Sequence, residues 1–350
     1  MALFVLGAGA TRGCSFIDAF RNPCIPPLDS DFFTQLQRVK NPKHQKLIKE
    51  VIGDVVALFG TNFRVTLENV FATLEHTIRM LRTTGDTRAF NREELVEKRD
   101  RLLQAIAVVL EESLGRHILN KPADHDHCEC EQHATLVENA LKAGDDILSF
   151  NYDCTIDYAL KNHGANKWNP RYGYGFGLGP RGSNLTGDRF WSPSQLTSEG
   201  NTIHLYKLHG SLHFQITEKS DKLKIILKQR PYTRQFGNLR FTIIPPESNK
   251  AYDKGAFRIL WSRAAAAIKR ATNIVFVGYS LPPTDLHSTA LFRTAVSKEQ
   301  LSSLVIINPD AEVRQRTRSI LHRGLKPETR VMSFDRLSEF LAADLRLWRS

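Results

Sequence analysis

Five short apolar segments of the chain each run directly into small and polar residues. They are ALFVL (2–6), ILSF (147–150), IHLYKL (203–208), NIVFV (273–277) and SLVII (303–307). Continuous apolar runs of this length are typical of strands buried on both faces of a parallel sheet. Ligands of such sheets bind outside the carboxyl ends of the strands. The pattern therefore predicts an α/β fold, with a mostly parallel sheet flanked by helices and a candidate site at one edge.

Between the first two of these segments, the apolar residues are spaced differently. Residues 68–81 and 92–114 carry apolar residues at steps of three and four, as amphipathic helices do. Asn91 and Glu94 are spaced as a capping box, and Gly115 is placed to end the second helix. We expect residues 31–142 to form a helical lobe inserted into a sheet domain made of residues 1–30 and 143–350.

The sequence also predicts a loop and a helix in two further segments. Residues 164–200 are rich in glycine and proline, which favours a long surface loop. Residues 335–348 have the pattern of an amphipathic helix whose Phe340, Leu345 and Trp348 pack against the core.

Composition adds charge to this picture. The 350 residues include 48 Lys and Arg against 37 Asp and Glu, giving a net charge of +11. Positive residues concentrate at 219–240 and at 314–330, which indicates either solvated basic faces or contact with nucleic acid or an acidic subunit. No apolar stretch reaches the roughly 20 residues that span a bilayer, so we expect a cytoplasmic protein without membrane contact.

The first strand is followed by a glycine-rich loop, Gly7-Ala8-Gly9-Ala10-Thr11-Arg12-Gly13. Glycines at this position let the backbone approach a pyrophosphate. However, Arg12 occupies the third glycine position of the dinucleotide fingerprint, and no acidic residue follows at a strand end about 20 positions later. The loop alone indicates nucleotide binding or a tight strand–helix turn, and it disfavours an ordinary dehydrogenase.

The polar residues after the other strands also have two interpretations each. Asn151, Asp153 and His209 have the side chains of a hydrolytic site, but they equally suit a strand end, a loop cap and a turn. Ser280 and Asn308 suit ligand contact or the polar caps of buried strands.

The segment His125–His133 holds three histidines and two cysteines, Cys128 and Cys130. Structural zinc usually takes C-x(2–4)-C pairs, which the C-x-C spacing does not match. We therefore expect a solvated acidic loop before a helix near Ala134, and no metal. Five cysteines in irregular positions likewise do not indicate a secreted disulfide framework.

The motifs GAGAT, FNYD, KLHGS, VGYS and IIN occur in the order of the NAD-binding motifs of sirtuins. The chain resembles in particular the sirtuin-like domains of bacterial antiphage defence proteins, to which a PP-x-x-x-K element at 245–250 is also similar. The resemblance implies a Rossmann-like fold with NAD as substrate. It implies that the loop Gly7–Thr11 holds the pyrophosphate, and that Gly278, Ser280 and Asn308 line the adenosine half.

The same resemblance implies roles for the candidate catalytic residues. Asn151 would orient the attacking water beside the nicotinamide ribose, and His209 would be the general base. Asp153 would fix the neighbouring loop or contact the nicotinamide side. Breaking the nicotinamide–ribose bond builds positive charge on the sugar, which suits a site of carboxamide, carboxylate and neutral imidazole.

The chain departs from the sirtuin deacylases after His209. Those enzymes carry two CxxC pairs there that form a zinc ribbon, whereas no cysteine follows Cys154 in this chain. A basic, strand-like insertion takes its place at 215–244. The resemblance therefore implies an NAD glycohydrolase, with an NAD-dependent deacylase or a non-catalytic nucleotide- or DNA-binding module as alternatives.

The resemblance further implies a toxic effector of abortive infection in the bacterial cytoplasm, activated by oligomerisation or by a partner. The implied partners are further copies of the chain and a HerA-type ATPase. The net positive charge separately favours DNA contact through the basic surface. No membrane partner is expected.

Overall fold

Six of the strands form one parallel sheet, as predicted. The computed structural model describes residues 1–15, 24–116, 124–127, 129–176, 190–219, 222–228, 242–244, 252 and 254–349. Its strands are β1 Ala2–Leu6, β2 Gly115–Arg116, β3 Asp124–His127, β4 Asp146–Ser149, β5 His204–Lys207, β6 Gly210–Ser211, β7 Phe214–Lys219, β8 Lys222–Leu227, β9 Thr242–Ile243, β10 Asn273–Val277, β11 Ser303–Ile307 and β12 Arg330–Phe334.

The order of the six strands across the sheet is β12-β11-β10-β1-β4-β5, with every pair parallel. The chain runs outward from β1 to β4 and β5, and then returns to β10 on the other side of β1. This is the strand order of the dinucleotide-binding α/β fold, whose ligands lie where the order reverses. The predicted α/β fold is confirmed, and the reversal point lies between β1 and β10.

The helices surround this sheet and form the region between β1 and β4. They are α1 Ala8–Arg12, α2 Phe32–Arg38, α3 Gln45–Phe59, α4 Leu67–Thr84, α5 Arg92–Leu114, α6 Glu131–Thr135, α7 Thr155–His163, α8 Pro170–Gly173, α9 Gly255–Arg270, α10 Leu286–Ala295, α11 Ala311–Ile320 and α12 Leu337–Ala342. None of the described helices has the length and apolar character needed to cross a membrane.

Two clusters of buried apolar side chains lie in the described residues. One surrounds the sheet, and the other is formed by residues 24–114 together with Leu212. The second cluster brings α2 to α5 together, and the two predicted helices within it are present as α4 and α5. Asn91 caps α5 by accepting from the backbone N–H groups of Glu93 and Glu94. The domain boundaries stay a prediction.

Much of the described part of 164–200 is buried and does not form a surface loop, although residues 194–196 and 198 are exposed as predicted, and residues 177–189 lie outside the described residues. Trp168, Tyr174 and Trp191 are fully buried, and the indole N–H of Trp168 donates to the carbonyl of Trp191 at 3.2 Å. The prediction is wrong for these aromatic residues because glycine and proline were taken as signs of exposure, whereas the large side chains between them belong to the core.

The predicted helix over 335–348 is present only in part, since α12 covers Leu337–Ala342. Trp348 nevertheless packs as expected, edge-on against Phe4 of β1 with ring centroids 5.4 Å apart. The strand-like insertion is present in part as the hairpin of β7 and β8. Residues 229–241, which hold much of the first basic cluster, and the PP-x-x-x-K element lie outside the described residues.

Candidate functional site

The loops that follow β1 and β10 are in direct backbone contact. The N–H of Gly9 donates to the carbonyl of Gly278 at 2.9 Å, and that of Gly7 to Val277 at 3.0 Å. A Cβ on Gly9 would lie 2.8 Å from the Cα of Gly278, and Gly278 itself has a φ of +60°. The glycines of the first loop thus allow a close approach to its neighbouring loop, while Ala8 between them is exposed.

Asn151 is fixed to the first loop through its side-chain amide. Its Nδ2 donates to the carbonyl of Gly7 at 2.9 Å and to the hydroxyl of Thr11 at 3.0 Å. The Thr11 hydroxyl in turn donates to the carboxylate of Asp153 at 2.8 Å. The structure therefore brings together three of the predicted site residues, Asn151, Asp153 and Thr11, although Thr11 is about 140 positions from the other two in sequence.

Asp153 is buried, and its carboxylate is used within the protein. It accepts from the backbone N–H of Thr155 at 2.9 Å as well as from Thr11. Burial by itself would raise the pKa of Asp153, but the charge of Lys207 and these hydrogen bonds outweigh it and hold the pKa below its usual value. Of the two predicted roles, the geometry favours fixing the neighbouring loop.

His209 lies close to both aromatic residues that flank Asn151. Its ring is edge-on to Phe150 at 5.2 Å and lies 6.3 Å from the ring of Tyr152. Its Nε2 is 3.7 Å from a carboxylate oxygen of Asp285. Asn151 and His209 therefore lie in adjacent loops at the carboxyl edge of the sheet, as the sequence motifs imply.

Asp285 is a component of the site that the sequence interpretation missed. Its carboxylate accepts from the hydroxyl of Tyr279 at 2.9 Å and from that of Ser288 at 2.6 Å, and it caps α10 through the Ser288 N–H. Burial, followed by the charge of Asp285, raises the pKa of Tyr279 well above its usual value, so the phenol stays a donor. The sequence could have indicated Asp285, because an Asp three residues before a Ser is typical of the start of a helix.

Ser280 and Asn308 follow β10 and β11 at the same edge of the sheet. The carbonyl of Ser280 accepts from Arg316 at 3.0 Å. The side chain of Asn308 accepts from the backbone N–H of Asp310 at 3.0 Å. Among the described residues, neither shares a hydrogen bond with Asn151, and Asn308 has the geometry of a loop cap.

Comparison with protein families adds one finding to this geometry. A family model described as a SIR2-like domain matches residues 145–327, which is more than half of the chain. The chain belongs to the SIR2-like domain family. A search of curated proteins finds no significant match. Membership supports a sirtuin-related, NAD-binding function and suggests an NAD-dependent enzyme.

The SIR2-like chain also contains a fully buried polar cluster behind the site. Lys207 donates to the backbone carbonyl of Asp153, and its Nζ lies 3.1 Å from the carboxylate of Asp157. Burial lowers the pKa of Lys207, but Asp157 and the neighbouring acidic groups raise it above its usual value. A charged lysine inside the core thus holds the loop that carries Asn151 and Asp153.

The same cluster includes a serine, a histidine and a thiol at short distances. Nδ1 of His213 is 2.7 Å from the hydroxyl of Ser211 and 3.2 Å from the sulfur of Cys154, and its Nε2 is 3.5 Å from Asp157. Burial lowers the pKa of His213 to about 4 and raises that of Cys154 well above its usual value. These groups are neutral and inaccessible, so we assign them to packing and not to nucleophilic chemistry.

Two side chains of the site loops, Arg12 and Thr284, link these loops to the helical region of this SIR2-like chain. Arg12 donates to the carboxylate of Asp31 at 2.8 Å and to the carbonyl of Pro26 at 2.7 Å. Thr284, directly before Asp285, donates to the carboxylate of Glu68 on α4. The loops on both sides of the site are therefore anchored to residues 24–114.

Proposed function

We propose that this protein is an NAD glycohydrolase. In that reaction the bond between the ribose C1′ and the nicotinamide nitrogen breaks, and its electron pair leaves with nicotinamide. Water forms the new bond at C1′ and loses one proton, giving ADP-ribose. The observation that carries the proposal is the pairing of His209 with Asp285 beside Asn151, at the reversal point of a dinucleotide-binding sheet.

The contacts of each residue suit its part in this reaction. Both amide hydrogens of Asn151 are bonded within the protein, so its Oδ1 is the atom that accepts a hydrogen bond from water. The imidazole of His209 takes a proton from a ribose hydroxyl, which regains one from the attacking water, and the facing carboxylate of Asp285 stabilises the imidazolium that forms. Asp285 acts through His209 and is a positioning residue.

The region after His209 favours water as the acceptor. It continues into β6 and then into the hairpin of β7 and β8. No cysteine follows Cys154 in the sequence, so the chain has no four-cysteine zinc ribbon with which to build an acyl-lysine cleft. This is the reason to prefer a glycohydrolase over a deacylase.

We further propose that the activity is that of a toxic effector in antiphage defence, regulated through assembly with copies of the chain and a HerA-type ATPase. The anchoring of Arg12 to Asp31 and of Thr284 to Glu68 supports regulation, because displacement of the helical region would move both site loops. Activity is then expected to rise steeply when the chain oligomerises or binds its partner.

The test is NAD consumption by the purified chain, alone and with the product of a neighbouring ATPase gene. Asn151→Ala and His209→Ala should each lower the rate about 10²–10⁴-fold. Asn162→Ala and His322→Ala, at exposed positions, are the matched controls. Deacylation of an acetylated peptide would replace the proposal with the deacylase alternative. Rates indifferent to the Asn151 and His209 variants would refute it.

A further inference from the structure

Two cysteines and a histidine from distant parts of the sequence meet beside the first site loop. Cys14 follows α1, Cys130 is the residue before α6, and His133 lies in the first turn of α6. All three are buried, with exposed fractions of 4% or less. Cys130 and His133 therefore do not belong to a solvated loop, contrary to the prediction for 125–133, although His125, His127 and Cys128 fall among residues whose side chains are not described.

The ligand atoms of the three residues are at distances that suit one metal ion. Nδ1 of His133 is 3.1 Å from the sulfur of Cys130 and 3.9 Å from that of Cys14, and all three atoms lie within 4.8 Å of one another. In a tetrahedral zinc site, Zn–S bonds of about 2.3 Å and Zn–N bonds of about 2.0–2.1 Å place the ligand atoms roughly 3.5–3.8 Å apart. Shifts of up to about 1 Å in side-chain position bring these three atoms to that geometry.

The chemistry of the set selects the metal. Two thiolates and one imidazole are soft and borderline ligands, which favour zinc over magnesium or calcium. The site also has a supporting contact, since Ser15 accepts from the N–H of Glu131 at 3.1 Å and its hydroxyl lies 3.9 Å from the sulfur of Cys130. Polar neighbours of this kind orient metal-bound sulfur and are typical of metal sites in proteins.

We propose that Cys14, Cys130 and His133 bind one zinc ion, with water as the simplest fourth ligand. The ion would join the end of the first site loop to the start of α6. Cys14 is three residues beyond Thr11, whose hydroxyl holds Asn151, so the metal would fix the backbone that supports the candidate catalytic residue. The assignment of the metal site does not rest on the proposed function.

The first experiment measures metal in the purified full-length chain by mass spectrometry after dialysis into metal-free buffer. We expect about one zinc per chain, and close to none in Cys14→Ser or Cys130→Ser. Cys24→Ser is the matched control, because Cys24 is an equally buried thiol in the helical cluster and should leave the metal content unchanged. Zinc retained at full occupancy in both Cys14→Ser and Cys130→Ser would overturn the assignment.

A second experiment keeps the proposal testable if the variants do not fold. The wild-type chain is stripped with a chelator and titrated with Co²⁺, which takes up the same tetrahedral sites and reports thiolate ligands by a charge-transfer band. We expect the band to saturate at about one equivalent, and the chelated protein to melt at a lower temperature. Absence of the band, or a Cys14–Cys130 disulfide found by counting thiols in denaturant, would refute the site. Neither readout depends on NAD cleavage.

Discussion

Replacing Thr11 by Val tests whether one hydroxyl group holds the candidate site together. Valine has nearly the same shape as threonine, so the buried space stays filled. The change removes an acceptor for the amide of Asn151, at 3.0 Å, and a donor to the carboxylate of Asp153, at 2.8 Å. We expect lower stability and lower NAD cleavage from this single substitution.

The size of the effect follows from the charge on Asp153. A hydrogen bond to a charged, buried group contributes about 1.5–3 kcal/mol, which is the expected loss in the free energy of unfolding. Asn151 keeps only its bond to Gly7 and gains rotational freedom. If its misalignment costs about 1.4 kcal/mol in the transition state, cleavage slows about tenfold.

The assay compares Thr11→Val with Thr11→Ser, which keeps the hydroxyl on the same backbone. Chemical denaturation gives the stability, and initial rates of NAD consumption by the assembled protein give the activity. Thr11→Ser should stay within about threefold of the wild-type rate, a cost below 1 kcal/mol. If Thr11→Val equals Thr11→Ser in both measurements, the hydroxyl does not hold Asn151 and the reasoning is refuted.

Three further predictions concern the surrounding residues. Asp285→Asn should lower the NAD cleavage rate about 10²-fold or more and shift the pH profile of kcat/KM, whereas a structural role alone would leave the profile in place. Lys207→Met should lower the free energy of unfolding by about 3–5 kcal/mol in chemical denaturation, because it leaves buried carboxylates without their cation. The pKa of Asp153 is depressed in the folded state, so the stability lost in Asp153→Asn should be full above about pH 5 and shrink below about pH 4, in denaturation measured across that range.

The sheet could be predicted because strands that are buried on both faces consist of continuous apolar residues. The central strands are continuous apolar runs, and their observed bounds differ from the expected ones by no more than one residue. The edge strand β12, Arg330–Phe334, was missed because it is half exposed and therefore mixes polar and apolar residues. The same reasoning explains why the polar strand ends of Asn151 and His209 could be assigned to one edge before any distance was known.

Composition was a poorer guide in the glycine-rich segment. Gly173 does not indicate a loop. A Cβ at this position would lie 2.3 Å from the ring of Trp168, so a larger residue would clash with the buried indole. Glycine is required at that position so that a buried indole can pack against the backbone. A sequence pattern records which residue types occur together, but it does not distinguish a glycine that frees a turn from one that makes room for an aromatic ring.

Arg12 shows why the interpretation of the first loop needed the rest of the chain. In dinucleotide-binding folds, the third glycine allows a long helix to pack closely on its strand. Here α1 ends at Arg12 after five residues, so that close packing is not required. The side chain instead reaches Pro26 and Asp31, at the start of the helical region. We infer that the departure from the fingerprint serves a contact between the loop and the residues that precede α2, which only the three-dimensional structure reveals.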